Sequence, residues 1–284
     1  MENLIFSAFG DELTASFRDQ LVGLKEYGIH HIEPRGIDGK NISTLTDSEL
    51  QELRKTLDQE GCGVSAIGSP IGKYSLDEDL SIHLEDYERV IRAAKILGTN
   101  KIRMFSFFIP KGENPRKYRD RVFKGIDVLL NRAVRENLLL CHENEHGIYG
   151  EKVAECVDLM ENFGDTMKFV YDPCNFIYAD EDNRAAFSAL KPWVEYLHIK
   201  DATKEKAICP AGEGIGYIPE ILGELKQQNR DIFLTLEPHL RVFTGLNDLS
   251  SNHEEILMRY QYPTAKEAFT AAVNGLFSVV NNLK

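Results

Sequence analysis

Short β-rich apolar runs alternate with longer amphipathic segments from one end of the chain to the other, and this alternation constrains the fold more than any other feature. Eight runs recur, at residues 4–8, 30–33, 64–67, 101–105, 138–143, 167–172, 196–200 and 232–237. Helical candidates lie between them at 46–60, 80–97, 118–137 and 218–227, and 265–281 closes the chain. Thr46-Asp47-Ser48-Glu49 reads as a capping box, and Tyr27-Gly28 and Leu97-Gly98 place glycine where a helix should stop before a strand. Eight β/α units predict an α/β protein with a single (β/α)8 TIM barrel, and residues 1–284 suit one such domain. An open doubly wound sheet is the alternative, but its usual GxGxxG after the first strand is replaced by Phe9-Gly10-Asp11-Glu12. The segment 240–261 fits no simple element and is expected to cover the barrel mouth.

Side chains alternate between the two faces of a strand, so parity separates residues facing the barrel axis from those facing the helices. In the fifth run Leu138, Leu140 and His142 share one face and leave Glu143 on the other. In the sixth, Met167, Phe169 and Tyr171 leave Asp172 opposite; in the seventh, Leu197 and Ile199 bracket His198; in the eighth, Ile232, Leu234 and Leu236 leave Glu237 opposite. The apolar face suits the helix layer in each case. Four consecutive strands therefore each bring one ligand-type side chain to the C-terminal end, where barrel enzymes build their sites. Taken singly, each of these residues reads as a helix cap, a loop acid or a hydrogen-bonded core histidine; taken together they read as a site. Three carboxylates and an imidazole suit one divalent ion, Mn, Co, Fe, Mg or Zn, which also relieves the repulsion among crowded carboxylates. By the same parity Glu33 and Arg103 face inward as substrate contacts or as a structural pair, and Lys200 shares the face of His198.

A formal net charge of −12 argues against a polyanionic partner, so nucleic acid is not expected. Five cysteines, at 62, 141, 156, 174 and 209, form no CxxC pair and suit reduced thiols in a cytoplasmic protein. The first residues carry early acids and no basic n-region, and no stretch approaches the roughly 20 apolar residues of a membrane helix.

Several stretches resemble the xylose-isomerase-like superfamily of sugar isomerases and epimerases, which also holds hydroxypyruvate isomerase, inosose dehydratase and endonuclease IV. They are His142-Glu143-Asn144-Glu145-His146-Gly147, Tyr171-Asp172-Pro173-Cys174-Asn175, Leu197-His198-Ile199-Lys200-Asp201, Ala211-Gly212-Glu213-Gly214 and Leu236-Glu237-Pro238. The resemblance implies that Glu143, Asp172, His198 and Glu237 bind the metal and that Glu143 and Glu237 flank the substrate. Many members carry His three residues after the sixth-strand Asp; this chain has Asn175, which leaves a substrate hydrogen bond there but not a second metal. The third and fourth strands end in Ala66-Ile67-Gly68-Ser69 and Met104-Phe105-Ser106, without the extra histidines of the endonucleases.

The resemblance further implies a metal-dependent isomerase or epimerase acting on a ketose-type sugar through a metal-stabilised enediolate, with Glu143 and Glu237 as the acid/base pair. His146, three residues past Glu143, is a second candidate base, Lys200 an oxyanion stabiliser that Asp201 would orient, and Glu213 a substrate contact. The glycines of Pro210-Ala211-Gly212-Glu213-Gly214-Ile215-Gly216 would let backbone amides approach a ligand, but with no basic partner a neutral sugar is favoured over a sugar phosphate. Two rival readings stand beside this one. One is a lyase on a keto-sugar, as in inosose dehydratase or the barrel subunit of C-glycoside deglycosidases; the other is a non-catalytic sugar-binding subunit. Whether the chain forms a homo-oligomer or works with a partner subunit is left open.

Overall fold

The computed structural model describes residues 3–241 and 262–283. Most of the expected mouth-covering segment, 240–261, lies outside these residues. Six parallel strands form the main sheet: β1 (Leu4–Ala8), β4 (Lys101–Met104), β5 (Leu139–Glu143), β6 (Met167–Tyr171), β7 (Val194–Ile199) and β8 (Ile232–Leu236), in the order β1-β8-β7-β6-β5-β4. Two shorter strands complete the ring. β2 (His31–Ile32) pairs in parallel with β3 (Gly63–Val64). The Glu33 N–H donates to Ala8 O across the β1–β2 join at 3.0 Å, and Ile67 N–H donates to Lys101 O across the β3–β4 join at 2.9 Å. The sheet thus closes on itself as the expected barrel.

β2 and β3 are shorter than the runs at 30–33 and 64–67, and Pro34 has no N–H to continue a ladder. Beyond Val64 the two segments keep single backbone bonds, from Ser65 N–H to Ile32 O and from Gly68 N–H to Pro34 O, each at 3.0 Å, and Ile67 bridges to Ile102 of β4.

Helices α1 (Phe17–Glu26), α2 (Asp47–Glu60), α3 (Leu80–Leu97), α4 (Arg119–Arg135), α5 (Val153–Phe163), α6 (Pro173–Tyr178), α7 (Asn183–Leu190), α8 (Ile218–Leu225) and α9 (Ala265–Asn281) make the outer layer. The Thr46–Glu49 capping box forms as read, with the Glu49 N–H donating to Thr46 Oγ1 and the Thr46 N–H to Glu49 Oε2. Gly98 ends α3 at φ 84°, a left-handed conformation that suits glycine, and Gly28 follows α1 at φ 73°. Among the described residues, no helix is long and apolar enough to cross a membrane.

The parity reading holds in three dimensions. Leu140, Phe169, Tyr171, Leu197 and Leu234 belong to the large core between sheet and helices. Ala66, Cys141, Val170 and Tyr196, with Leu139 and Phe233 against them, form a separate small cluster on the barrel axis. This inner plug floors the barrel, with Cys141, Val170 and Tyr196 two residues below Glu143, Asp172 and His198 on β5 to β7.

Candidate functional site

Glu143 ends β5, while Asp172 and Glu237 lie one residue past β6 and β8 and His198 is the next-to-last residue of β7. All four are buried, and ligand atoms from them lie within 4.8 Å of one another.

Local structure fixes what each side chain has left to offer. Asp172 is the N-cap of α6: its Oδ1 accepts from the Asn175 N–H at 3.0 Å, as a capping carboxylate should, and Pro173 follows at the first helical position. Its buried Oδ2 accepts no hydrogen bond and has the Lys200 ammonium 3.0 Å away. Glu143 Oε1 accepts from His198 Nδ1 at 2.9 Å and from Asn175 Nδ2 at 3.4 Å. Its buried Oε2 likewise accepts no hydrogen bond, 3.3 Å from Arg103 Nη1. These two buried carboxylate oxygens therefore accept no hydrogen bond and meet only a neighbouring cation, Lys200 and Arg103 respectively, which leaves each with lone pairs that a bound ion could use. With an imidazole nitrogen and Glu237 beside them, the donor set fits a divalent ion.

Cations already hold these acids apart. Lys200 Nζ lies 3.0 Å from Asp172 and 3.3 Å from Glu237. Arg35 Nη1 donates to Glu237 Oε1 at 2.8 Å, and its other nitrogens reach Asp11 and Glu12, with the guanidinium 4.1 Å from the Phe9 ring centroid. Burial would raise the Glu237 carboxyl, but Lys200, His239 and His198 outweigh it and hold it well below the usual range. One ammonium cannot neutralise both of its acids. Burial accordingly prevails at Asp172, which is pushed up despite Lys200. Burial works against charge on His198, yet Glu143 and Glu33 overcome it and push the imidazole up to about 10. Lys200 is likewise held charged against burial by Asp172 and Glu237.

The other residues singled out in the sequence fall into three groups. Arg103 and Lys200 join the cluster as described. Asn175 joins it as a clamp, its amide shared between Glu143 Oε1 and Asn144 O. Glu33 faces inward as parity requires but lies behind His198, fully buried, with its carboxylate on His198 Nε2 at 3.3 Å and on the Tyr196 hydroxyl at 3.0 Å. His146 and Glu213 are not brought to the cluster. His146 is exposed, bonds Glu151 Oε1 through Nδ1 at 2.8 Å and lines a cleft between the loops after β4 and β5. Glu213 is exposed on the loop after β7.

The expected role of Asp201 is corrected. Its carboxylate turns away from Lys200 and accepts the backbone N–H groups of Gly212 at 3.0 Å, Gly214 at 3.1 Å and Gly216 at 2.8 Å. The amides offered by the glycine loop are therefore consumed within the protein, which removes the phosphate grip considered for them. A Cβ on Gly214 would meet Asp201 Oδ1 at 2.2 Å, so glycine is required there by close approach.

Arg35, Glu12, His239 and Tyr196 were not singled out, although each touches the site. Tyr196 carried a signal, since it shares parity with His198 two residues on. Arg35 and His239 stand two residues past Glu33 and Glu237, but there the chain has left the strand and alternation no longer licenses a direction.

A family model described as xylose isomerase-like TIM barrel matches residues 23–256. Among solved structures, a probable 3-DHS dehydratase of Bacillus anthracis superposes with a TM-score of 0.74 at 18% identity, covering 96% of this chain and 98% of that one. A D-allulose 3-epimerase of Methylomonas sp., in complex with D-allulose, gives 0.74 at 13% identity, over 98% of this chain and 97% of that one. A xylose isomerase-like barrel protein of Mycobacterium smegmatis, in complex with magnesium, gives 0.66 at 15% identity, over 98% and 97%. No curated protein sequence matches the chain. The family match spans most of the chain and agrees with the closed ring of eight strands: this chain belongs to the xylose isomerase-like TIM-barrel family.

Proposed function

We propose that the protein is a divalent-metal-dependent enzyme that moves a proton at the carbon beside a carbonyl of a sugar-like substrate, as an isomerase or epimerase of ketose type. The observation that carries this reading is the buried convergence of Glu143, Asp172, His198 and Glu237, two of whose carboxylate oxygens accept no hydrogen bond. A divalent ion, if held by these four residues, would supply Lewis-acid polarisation of the substrate carbonyl.

The chain's own groups supply the rest. Arg35 and Lys200 keep Glu237 ionised, as a proton acceptor must be, and Arg103 stands beside Glu143 as a counter-charge. One of these two carboxylates removes the proton from the substrate carbon and the other returns one. Lys200, held as an ammonium, is suited to donate to a developing oxyanion and not to act as a base. The epimerase and the dehydratase among the structural neighbours bear on this chain only as analogy, since at such identities they share its fold alone.

The lyase reading begins with the same proton abstraction, and His146, the second candidate base, does not serve either reading, because it is exposed and engaged with Glu151 away from the cluster. Incubation of metal-loaded protein in D2O with a ketose panel and with 3-keto glycosides separates the outcomes. Deuterium wash-in with isomer formation supports the proposal; fragmentation without isomerisation replaces it with the lyase. Glu143→Gln and Glu237→Gln are each expected to lower turnover by about 100-fold or more, the scale of a lost general base. Full turnover by both variants removes the acid/base assignment.

A further inference from the structure

We infer that Glu33, held by Tyr196, is the positioning residue that fixes the ring orientation and tautomer of His198 so that Nδ1 faces the metal position. The inference rests on the metal reading above and changes the part expected of Glu33, from substrate contact to support of a ligand.

Geometry distinguishes the two nitrogens of the ring. Nδ1 lies 2.9 Å from Glu143 Oε1 and 3.5 Å from Glu237 Oε2, so it is the nitrogen aimed into the cluster. Nε2 points the opposite way, 3.3 Å from each oxygen of Glu33. An imidazole that ligates an ion through Nδ1 must be unprotonated there and carries its remaining proton on Nε2, which then needs an acceptor. Glu33 is that acceptor. The Tyr196 hydroxyl donates to Glu33 Oε1 at 3.0 Å, and the Glu33 backbone N–H is tied to Ala8 O, so both ends of the residue are anchored. Edge contacts to Phe9, with centroids 5.0 Å apart, and to Tyr196, 5.6 Å apart, close the remaining freedom of the imidazole plane.

Glu33 and His198 have no solvent exposure, and both Glu33 oxygens already serve His198. A residue so placed acts only through the imidazole it holds.

The test is calorimetric titration of Mn2+ or Co2+ into the unaltered protein and into Glu33→Ala, Glu33→Gln and Tyr196→Phe. Loss of an outer partner of a ligating histidine typically weakens binding by about 10- to 100-fold. Glu33→Ala is expected to fall in that range. Glu33→Gln, which keeps an acceptor oxygen but not the charge, should lose less, and Tyr196→Phe least. At saturating metal the KM for substrate should stay within about twofold of the unaltered protein, a factor worth roughly 0.4 kcal/mol. Imidazole 15N spectra of the Zn2+ or Mg2+ form should show His198 protonated at Nε2 in the unaltered protein and altered in Glu33→Ala. If Glu33→Ala does not fold, the Gln and Phe variants carry the comparison. Unchanged metal affinity in the folded variants, or a raised KM with unchanged affinity, overturns the inference while leaving the metal reading intact. Failure of the unaltered protein to bind any divalent ion overturns both.

Discussion

Lys200 occupies the position where residue-scale electrostatics are most delicate, since its ammonium bridges Asp172 and Glu237, two of the four candidate ligands. A bound dication and that ammonium repel each other across a buried site. Lys200→Met is therefore expected to tighten divalent-metal binding by about tenfold or more, the equivalent of one pKa unit or roughly 1.4 kcal/mol, while lowering the stability of the metal-free protein. Calorimetry and thermal melts with and without EDTA check both signs, and weaker binding in the variant would contradict the charge argument. The four ligand residues were legible from strand alternation because each lies on a strand or one residue beyond it. Glu33 was legible as inward-facing but not as the partner of His198, because parity gives a direction and no depth. Arg35 and Glu12 were illegible: their approach to Glu237 depends on how the loops after β2 and β1 fold over the mouth.

Among the elements, the loop after β7 shows how a glycine pattern misleads when its partner is unknown. Pro210 to Gly216 looks like a ligand cradle, and the structure shows its alternate amides turned onto Asp201 instead. Asp201→Ala leaves these donors without their acceptor. A hydrogen bond to a charged group is worth about 1.5–3 kcal/mol, so a loss of about 2–3 kcal/mol in urea unfolding is expected, with faster proteolysis confined to this loop. Wild-type stability and protease resistance in the variant would show that the loop is held by other means. Strands and helices were legible where their period is long, as in α3 and α9, whose bounds match the expected segments. The two-residue β2 and β3 were legible as barrel strands but not in their length, since past Ile32 and Val64 the pairing thins to single backbone bonds and Pro34 offers no N–H.

For the whole molecule, pH dependence follows from three buried groups that bind protons more tightly when folded. Asp172 is raised from 3.8 to about 7, chiefly by burial; Glu12 from 4.5 to about 8, also chiefly by burial; and His198 from 6.5 to about 10 by Glu143 and Glu33 against burial. Protons bound more tightly in the folded state make stability fall as pH rises through the interval between unfolded and folded values. For His198 the contribution is complete below 6.5 and gone above about 10; the two acids lose theirs between about 4 and 8. The opposite shifts at Glu33 and Glu237 act only below about 4.5, while His142, His239 and His31, all lowered chiefly by burial, add stability as pH rises to their ordinary 6.5 and so oppose the fall only at the lower edge of this window. Metal-free protein is thus expected to melt at a lower temperature at pH 8.5 than at pH 6. Added Mg2+ or Mn2+ should raise Tm more at the higher pH, because ligation requires His198 and Asp172 to release their protons. A melting temperature that rises over this range without metal would contradict the shifts.

Ring closure at β1–β2 and orientation of the ligand imidazole meet in one residue, since the Glu33 backbone N–H joins Ala8 O while its carboxylate holds His198. A barrel that breathes at this join therefore cannot keep its imidazole aimed. The same residue thus serves as a seam of the barrel wall through its backbone and as a bracket for the ring through its side chain.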